Sequence, residues 1–228
     1  MRLAATAVVA TPYVVRAETE LRSLLPVDQA ARDKSLHAFL GTMRAIVARK
    51  DSKALCALMA PTFKVEFDVG KGPAVFQSHW EPDKPTSGVW VLLDRLLSLG
   101  GTFYSDSVFA LPYVYTRFPL DFDRLSYVVA TGDVPMHAES NPNSARVGVL
   151  NHSIVPVATP LTPPAMLVQM PFVAVKHPER GVSYVAGSDV YSPAGHRAFF
   201  EKRQGQWRWL SLAAPTLATP PLLLTSKA

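Results

Sequence analysis

The sequence predicts an α+β fold, and three observations carry that prediction. Leu36, Phe39, Leu40, Met43, Ile46 and Val47 recur at steps of three and four, the spacing of a single helix face. Phe63, Val65 and Phe67 alternate with Lys64, Glu66 and Asp68, the period of a strand with one wet face. From Leu125 to Tyr191, short apolar segments are broken repeatedly by turn residues, the outline of a small β barrel. The 20 prolines favour short elements and strand edges over long helices. A hydrophobic share of 48% supports a packed core.

The amino terminus reads as a targeting segment. Arg2 precedes the apolar stretch Leu3 to Val15, and Val15 and Ala17 are the small residues expected just before a signal-peptidase cut. Residues 1–17 are therefore expected to be a signal peptide, cleaved before Glu18, with the protein exported to a periplasmic or extracellular compartment. Loss of Arg2 and Arg16 takes the formal charge from +5 to +3. The other reading of the same residues is a hydrophobic first strand or helix. No later apolar run reaches the ~18 residues that a spanning helix needs, so no stable membrane span is expected. The basic residues are dispersed, without a charged face interleaved with aromatics, and nucleic acid is not an expected partner.

From Glu18 to Arg32 there is little periodicity, and Pro26 marks a lead-in. Asp33 is placed to cap the first helix, and Asp51 with Ser52 a second that carries Ala54, Leu55, Leu58 and Met59 and stops at Pro61. After the Phe63–Phe67 strand, Gly70 and Gly72 predict a turn, and Pro73 to Trp80 a short helix or edge segment. Glu81 to Ser87 reads as a loop. Val89, Trp90, Leu92, Leu93, Leu96 and Leu97 then predict a helix that is apolar around much of its girth, ended by Gly100 and Gly101. Thr102 to Phe118 reads as strand, dense in aromatics. Ser192, Pro193 and Gly195 turn the chain into a hairpin carrying Phe199, Phe200, Trp207, Trp209 and Leu212 around Gly205. Two strands alone are marginal in water, so this hairpin must join an existing sheet. Residues 215–228 read as a flexible tail.

Gly181, Tyr184, Val185 and Ala186 form a G-x-x-Y-V-A segment ahead of an expected single-turn helix at Gly187, Ser188 and Asp189, where Ser188 reads as a cap. With the strands ending in Val147, Val149 and Leu150 and in Ile154, Val155 and Val157, this resembles the bacterial SH3-like (SH3b) family. The loop from Ala158 to Gln169, with Pro160, Pro163 and Pro164, is longer than that family's usual connection. Helix, short helix and strand in the order seen after Lys34 resemble the opening of the NTF2-like family, in which a curved sheet wraps a long helix. The resemblances imply a discontinuous NTF2-like domain, 33–122 plus 193–214, with an SH3-like barrel at 123–192 inserted into it. Ser192, Pro193, Arg197, Ala198, Phe200, Lys202, Gly205 and Trp207 also resemble the ending of a group of bacterial exported proteins that carry an SH3-like segment.

The chemistry that the sequence can support is narrow. Cys56 is the only cysteine and lies in an apolar run, so it reads as a small buried residue rather than a nucleophile. The six histidines are scattered without an H-x-H or H-x-x-x-H pair, and no metal or cofactor is expected. No G-x-S-x-G elbow or glycine-rich phosphate loop occurs. Glu66 and Asp68 share a strand face and read as solvated charge. Tyr104, Tyr113 and Tyr115, with His79 and Trp80, are the candidate ligand or partner groove; the alternative for the same aromatics is core and interdomain packing. Two functions follow. Resemblance to SH3-like cell-wall targeting modules implies a noncatalytic envelope protein that binds peptidoglycan peptide or a protein partner. The NTF2-like resemblance implies instead a small-molecule pocket, acting as carrier or enzyme.

Overall fold

The computed structural model describes residues 21–65, 69–159 and 167–213. The expected signal peptide at 1–17, the carboxylate pair Glu66 and Asp68, the three prolines of the 158–169 loop and the tail at 215–228 lie outside the described residues. Within them the fold is mixed α+β, as the sequence predicts.

Helix α1 runs Lys34–Arg49 because both its start and its stripe are encoded locally. The Asp33 carboxylate accepts from the Ser35 and Leu36 N–H groups, and Leu36, Leu40, Met43, Ile46 and Val47 are buried. Phe39, at the edge of the stripe, meets Phe200 edge-on with ring centroids 5.9 Å apart. Helix α2, Ser52–Ala57, is capped by Asp51, whose carboxylate takes the Ala54 N–H at 2.9 Å. It ends earlier than expected. Met59 belongs to strand β1, Met59–Val65, which runs through Pro61 rather than starting after it. The reason is non-local: Leu58 O accepts from Trp209 N at 2.8 Å, drawing the chain into a sheet. Pro61, with no N–H to give, sits where the register is irregular.

Next come β2 (Gly70–Lys71), α3 (Pro73–Trp80, with proline in the first turn), and α4 (Val89–Leu99). Helix α4 buries Val89, Trp90, Leu92, Leu93, Leu96, Leu97 and Leu99, as its broad apolar girth predicts. Gly100 ends it at φ 70°, and a Cβ there would come within 2.7 Å of Asp28 Cβ, so both backbone and space require glycine. The stretch from Thr102 to Phe118, expected as strand, is instead β3 (Thr102–Ser105), β4 (Val108–Leu111) and a one-turn helix, α5 (Tyr113–Arg117), started after Pro112.

The module strands follow: β5 (Tyr127–Ala130), β6 (Asp133–His137), β7 (Arg146–Asn151), β8 (Ile154–Pro156), β9 (Phe172–His177), β10 (Gly181–Ala186) and β11 (Val190–Tyr191). The closing hairpin is β12 (Arg197–Arg203) and β13 (Gln206–Ala213), turned at Gln204 and Gly205, both at positive φ. One sheet has the order β2-β1-β13-β12-β4-β3. The hairpin thus occupies its middle: β13 lies parallel to β1, and β12 antiparallel to β4. The outer edge at β3 is covered, since Gln29 donates its N–H to Gly101 O and accepts the Phe103 N–H at its side-chain oxygen.

The strands between Tyr127 and Tyr191 form two sheets, β7-β6-β10-β9 and β11-β5-β8, rather than the closed barrel expected. A Val157–Val175 bridge joins them. Period-two alternation explains how the three-stranded sheet serves two cores. Val128 and Ala130 face a small core with Val134, Met136, Leu150, Val173, Val175 and Val185, while Val129, Ile154 and Tyr191 enter the larger core with α1 and α4. Arg95 of α4 reinforces this shared wall by donating to Thr131 Oγ1 at 2.6 Å, and Thr131 Oγ1 donates to Asp189 O at 2.8 Å. Gly187–Asp189 is a single 3₁₀ turn between β10 and β11. Ser188 is not its cap: its hydroxyl bonds to Asp189 Oδ1.

Asp33 gives the fold a pH response. Besides capping α1 it receives Lys202 Nζ at 2.7 Å from β12. The ammonium, with the Ser35 hydroxyl, holds the carboxyl well below the usual carboxylate range, and partial burial acts the other way. A folded value below the unfolded one, about 3.9, means that the contribution is present above that pH and lost as pH falls through the folded value. Melting temperature followed from about pH 5 to about pH 2 is expected to fall further in the native protein than in Asp33→Asn. Parallel curves would contradict this. At neutral pH, Asp33→Ala is expected to cost about 1 kcal/mol through the lost cap.

Candidate functional site

Alternation along β12 separates two faces of the six-stranded sheet. Ala198, Phe200 and Lys202 point to the α1 side, where Phe200 meets Phe39 and Lys202 meets Asp33. Arg197 and Phe199 point the other way. On that outer side Phe199 has Tyr104 of β3 at 6.2 Å and Tyr115 of α5 at 5.9 Å between ring centroids, both edge-on. Tyr104 is 55% exposed, while Tyr115 and Phe199 are half-buried.

Two guanidinium groups lie against Tyr115. Arg197 Cζ is 4.8 Å from its ring centroid, and Arg124 Cζ is 5.1 Å from the same ring and 5.6 Å from Phe118. Stacks of this kind draw on the ring quadrupole and are worth more as water is excluded. Arg124 is fixed by Nη1, which donates to Tyr115 O at 3.0 Å and Pro193 O at 3.2 Å. It thereby ties α5 to the turn that begins the hairpin. Arg197 is 4% exposed. Burial lowers its affinity for its proton, with Tyr115 acting the other way and repulsion from Arg124 adding to the fall. Burial does the same to Arg124, against Tyr115 and Tyr104.

The five expected groove residues therefore separate into three places. Tyr104 and Tyr115 come together through Phe199. Tyr113 does not join them: it is 0% exposed, belongs to the main core, and donates its hydroxyl to Leu24 O at 3.5 Å. Burial pushes its phenol up to about 12, with Arg95 acting the other way. The one-turn helix rotates Tyr113 inward and leaves Tyr115 at the surface, which a strand with both on one face would not do. His79 and Trp80 form a separate group on α3, 5.4 Å apart, with Trp80 5.7 Å from the His196 ring. Trp80 Nε1 is buried and has no hydrogen-bond partner among the described residues.

Phe199, Arg124 and Arg197 complete the site and were not expected in it. Arg197 was visible in the C-terminal motif, but nothing local aims it at Tyr115; Phe199 reaches Tyr104 only because β12 pairs with β4, with Phe199 opposite Ala110. Cys56 is half-buried, and burial with the nearby Asp83 pushes its thiol up, so it lacks the activation of a nucleophile. Among the described residues no group of three or more His, Cys, Asp or Glu side chains could hold a metal ion, and no helix is long and apolar enough to cross a membrane.

Fold and site define a mixed α+β protein with an open cation–aromatic face on its principal sheet. No protein-family model matches the chain, and no curated protein matches it. A solved structure that does match is one described as a calcium/calmodulin dependent protein kinase II association domain from Xanthomonas campestris, 12% identical, with a TM-score of 0.28 over 89% of this chain and 99% of that one. A likeness at that TM-score carries no argument about either fold or function.

Proposed function

We propose that this protein is a noncatalytic binding protein of the bacterial cell envelope, which holds cell-wall peptide or an envelope protein against the Tyr104–Phe199–Tyr115 face. The observation that carries the reading is the arrangement of that face: three rings left partly open, with Arg124 and Arg197 stacked on the central one. Aromatics and arginines are the side chains that anchor binding surfaces. Export rests on the amino-terminal apolar segment.

The SH3-like reading of residues 123–192 is supported by the strand succession and by the 3₁₀ turn between β10 and β11. The NTF2-like reading of 33–122 plus 193–214 is supported by a long helix laid on a sheet whose central hairpin comes from the second segment and whose flanking strands come from the first. Against a carrier, the region between α3 and that sheet is filled: Phe63, Phe76 and Trp209 are fully buried with centroids 4.7 to 5.9 Å apart. One observation favours the small-molecule alternative. Trp80 Nε1, beside His196, is a buried donor without a hydrogen-bond partner among the described residues, and a ligand acceptor would satisfy it.

Sedimentation with purified peptidoglycan at moderate salt separates the two. The mature protein is expected to be retained, and Tyr104→Ala or Phe199→Ala to weaken retention by about 2 kcal/mol for an anchoring ring, roughly thirty-fold in affinity. Retention unchanged in both variants would contradict the groove. Tyr113→Ala is unsuitable as a test because it opens the core.

A further inference from the structure

We infer that the Arg124–Tyr115–Arg197 stack is a carboxylate subsite, and that the free C-terminal carboxylate of a bound peptide sits at Arg124 while its side chains lie on Phe199 and Tyr104. This rests on reading the face as a peptide groove and names which end of the peptide it recognises.

Four observations lead there. First, Arg124 uses only Nη1 for the protein; Nε and Nη2 have no hydrogen-bond partner among the described residues and are not among the sealed polar atoms. Two donors of a planar fork, held in place by the third nitrogen, suit bidentate binding of a carboxylate. Second, the fork is preorganised, since Tyr115 O, Pro193 O and the rings of Tyr115 and Phe118 fix its plane. Third, acids near it in the chain or on the same strand face are engaged elsewhere. Asp123 accepts from Ser126 Oγ and the Leu125 N–H, Asp121 pairs with Arg22, and Glu201 pairs with Arg203. Fourth, Arg124 and Arg197 place two guanidinium groups against one ring, 5.1 and 4.8 Å from its centroid, and two positive charges so close together favour an anion at the Arg124 fork. An apolar floor beside a cation fits a peptide terminus, which brings a carboxylate and its last side chain together.

The test is isothermal titration of the whole mature protein with an N-acetylated tripeptide ending in two D-alanines, as free acid and as C-terminal amide. The free acid is expected to bind about tenfold or more tightly than the amide, the scale of one charge-assisted contact. That preference should disappear in Arg124→Gln and shrink in Arg124→Lys, which keeps the charge but not the fork. Because wild-type protein alone gives the acid-to-amide ratio, a misfolded variant cannot decide the outcome. Equal binding of acid and amide, still lost in Tyr104→Ala, would overturn the carboxylate assignment and leave the peptide groove standing. An acid preference that persists in a folded Arg124→Gln would overturn it too. Binding of neither peptide, with no retention on peptidoglycan, would remove the groove and this subsite together.

Discussion

Replacing Trp209 with alanine is expected to destabilise the protein by about 3–5 kcal/mol, a large part of the roughly 5–15 kcal/mol that holds a typical domain folded. Trp209 is 0% exposed and lies 4.7 Å from the Phe63 ring and 5.5 Å from the Phe76 ring. Its indole Nε1 donates to Ser211 O at 3.0 Å and its backbone N–H to Leu58 O. The substitution leaves a cavity where β1, β13 and α3 meet, and the sheet cannot close over it because β13 is held on both sides. Urea unfolding followed by far-UV circular dichroism measures the loss without relying on the missing fluorophore. A change under about 1 kcal/mol, the range of an uncommitted site, would mean that the hairpin does not fill the sheet's centre.

Gly187→Ala is the second substitution expected to act strongly, and in the smaller core. A Cβ at Gly187 would lie 2.1 Å from Leu167 O and 2.3 Å from Met170 O. Both are backbone atoms, so no rotamer change relieves the overlap, and the 3₁₀ turn must move away from the segment beneath it. Overpacking of this kind costs about 1–3 kcal/mol and sometimes more. Gly132→Ala is the matched control: nothing lies within 4 Å of its Cβ position, and its effect should stay within about 0.5 kcal/mol. The same urea titration applied to both variants checks the contrast; equal stability would contradict the close approach of the turn to Leu167 and Met170.

What the sequence made legible follows from how local each signal is. The α1 stripe, the Asp33 and Asp51 caps, the Gly100 terminus of α4 and the turn at Gly205 are all written within a few residues, and each has its counterpart in the structure. Beyond that range the outcome is mixed: the closing hairpin joins an existing sheet, as two strands too few to stand alone must, but other elements depend on partners the local sequence does not show. Tyr113–Arg117 is five residues long, too short to show a helical period, so aromatic density suggested a strand and put Tyr113 in the groove. Met59 looked helical because the parallel pairing with Trp209 that makes it a strand residue is set by a segment far along the chain. The site follows the same rule. Tyr104 and Tyr115 are recognisable as amphipathic rings, but their partners come from other elements: the β12–β4 pairing brings in Phe199 and Arg197 on β12, and Arg124 is held by Tyr115 O and Pro193 O. Arg124, in the link between α5 and β5, carries no sequence pattern at all.

Hydrogen–deuterium exchange of the mature protein, with and without soluble peptidoglycan fragments, tests the proposed binding face most directly. Slower exchange is expected in β3, α5, the segment around Arg124 and β12, which carry Tyr104, Tyr115, Arg124, Arg197 and Phe199. Protection confined to β7 and β10 of the module, or none while the fragments remain bound, would contradict it.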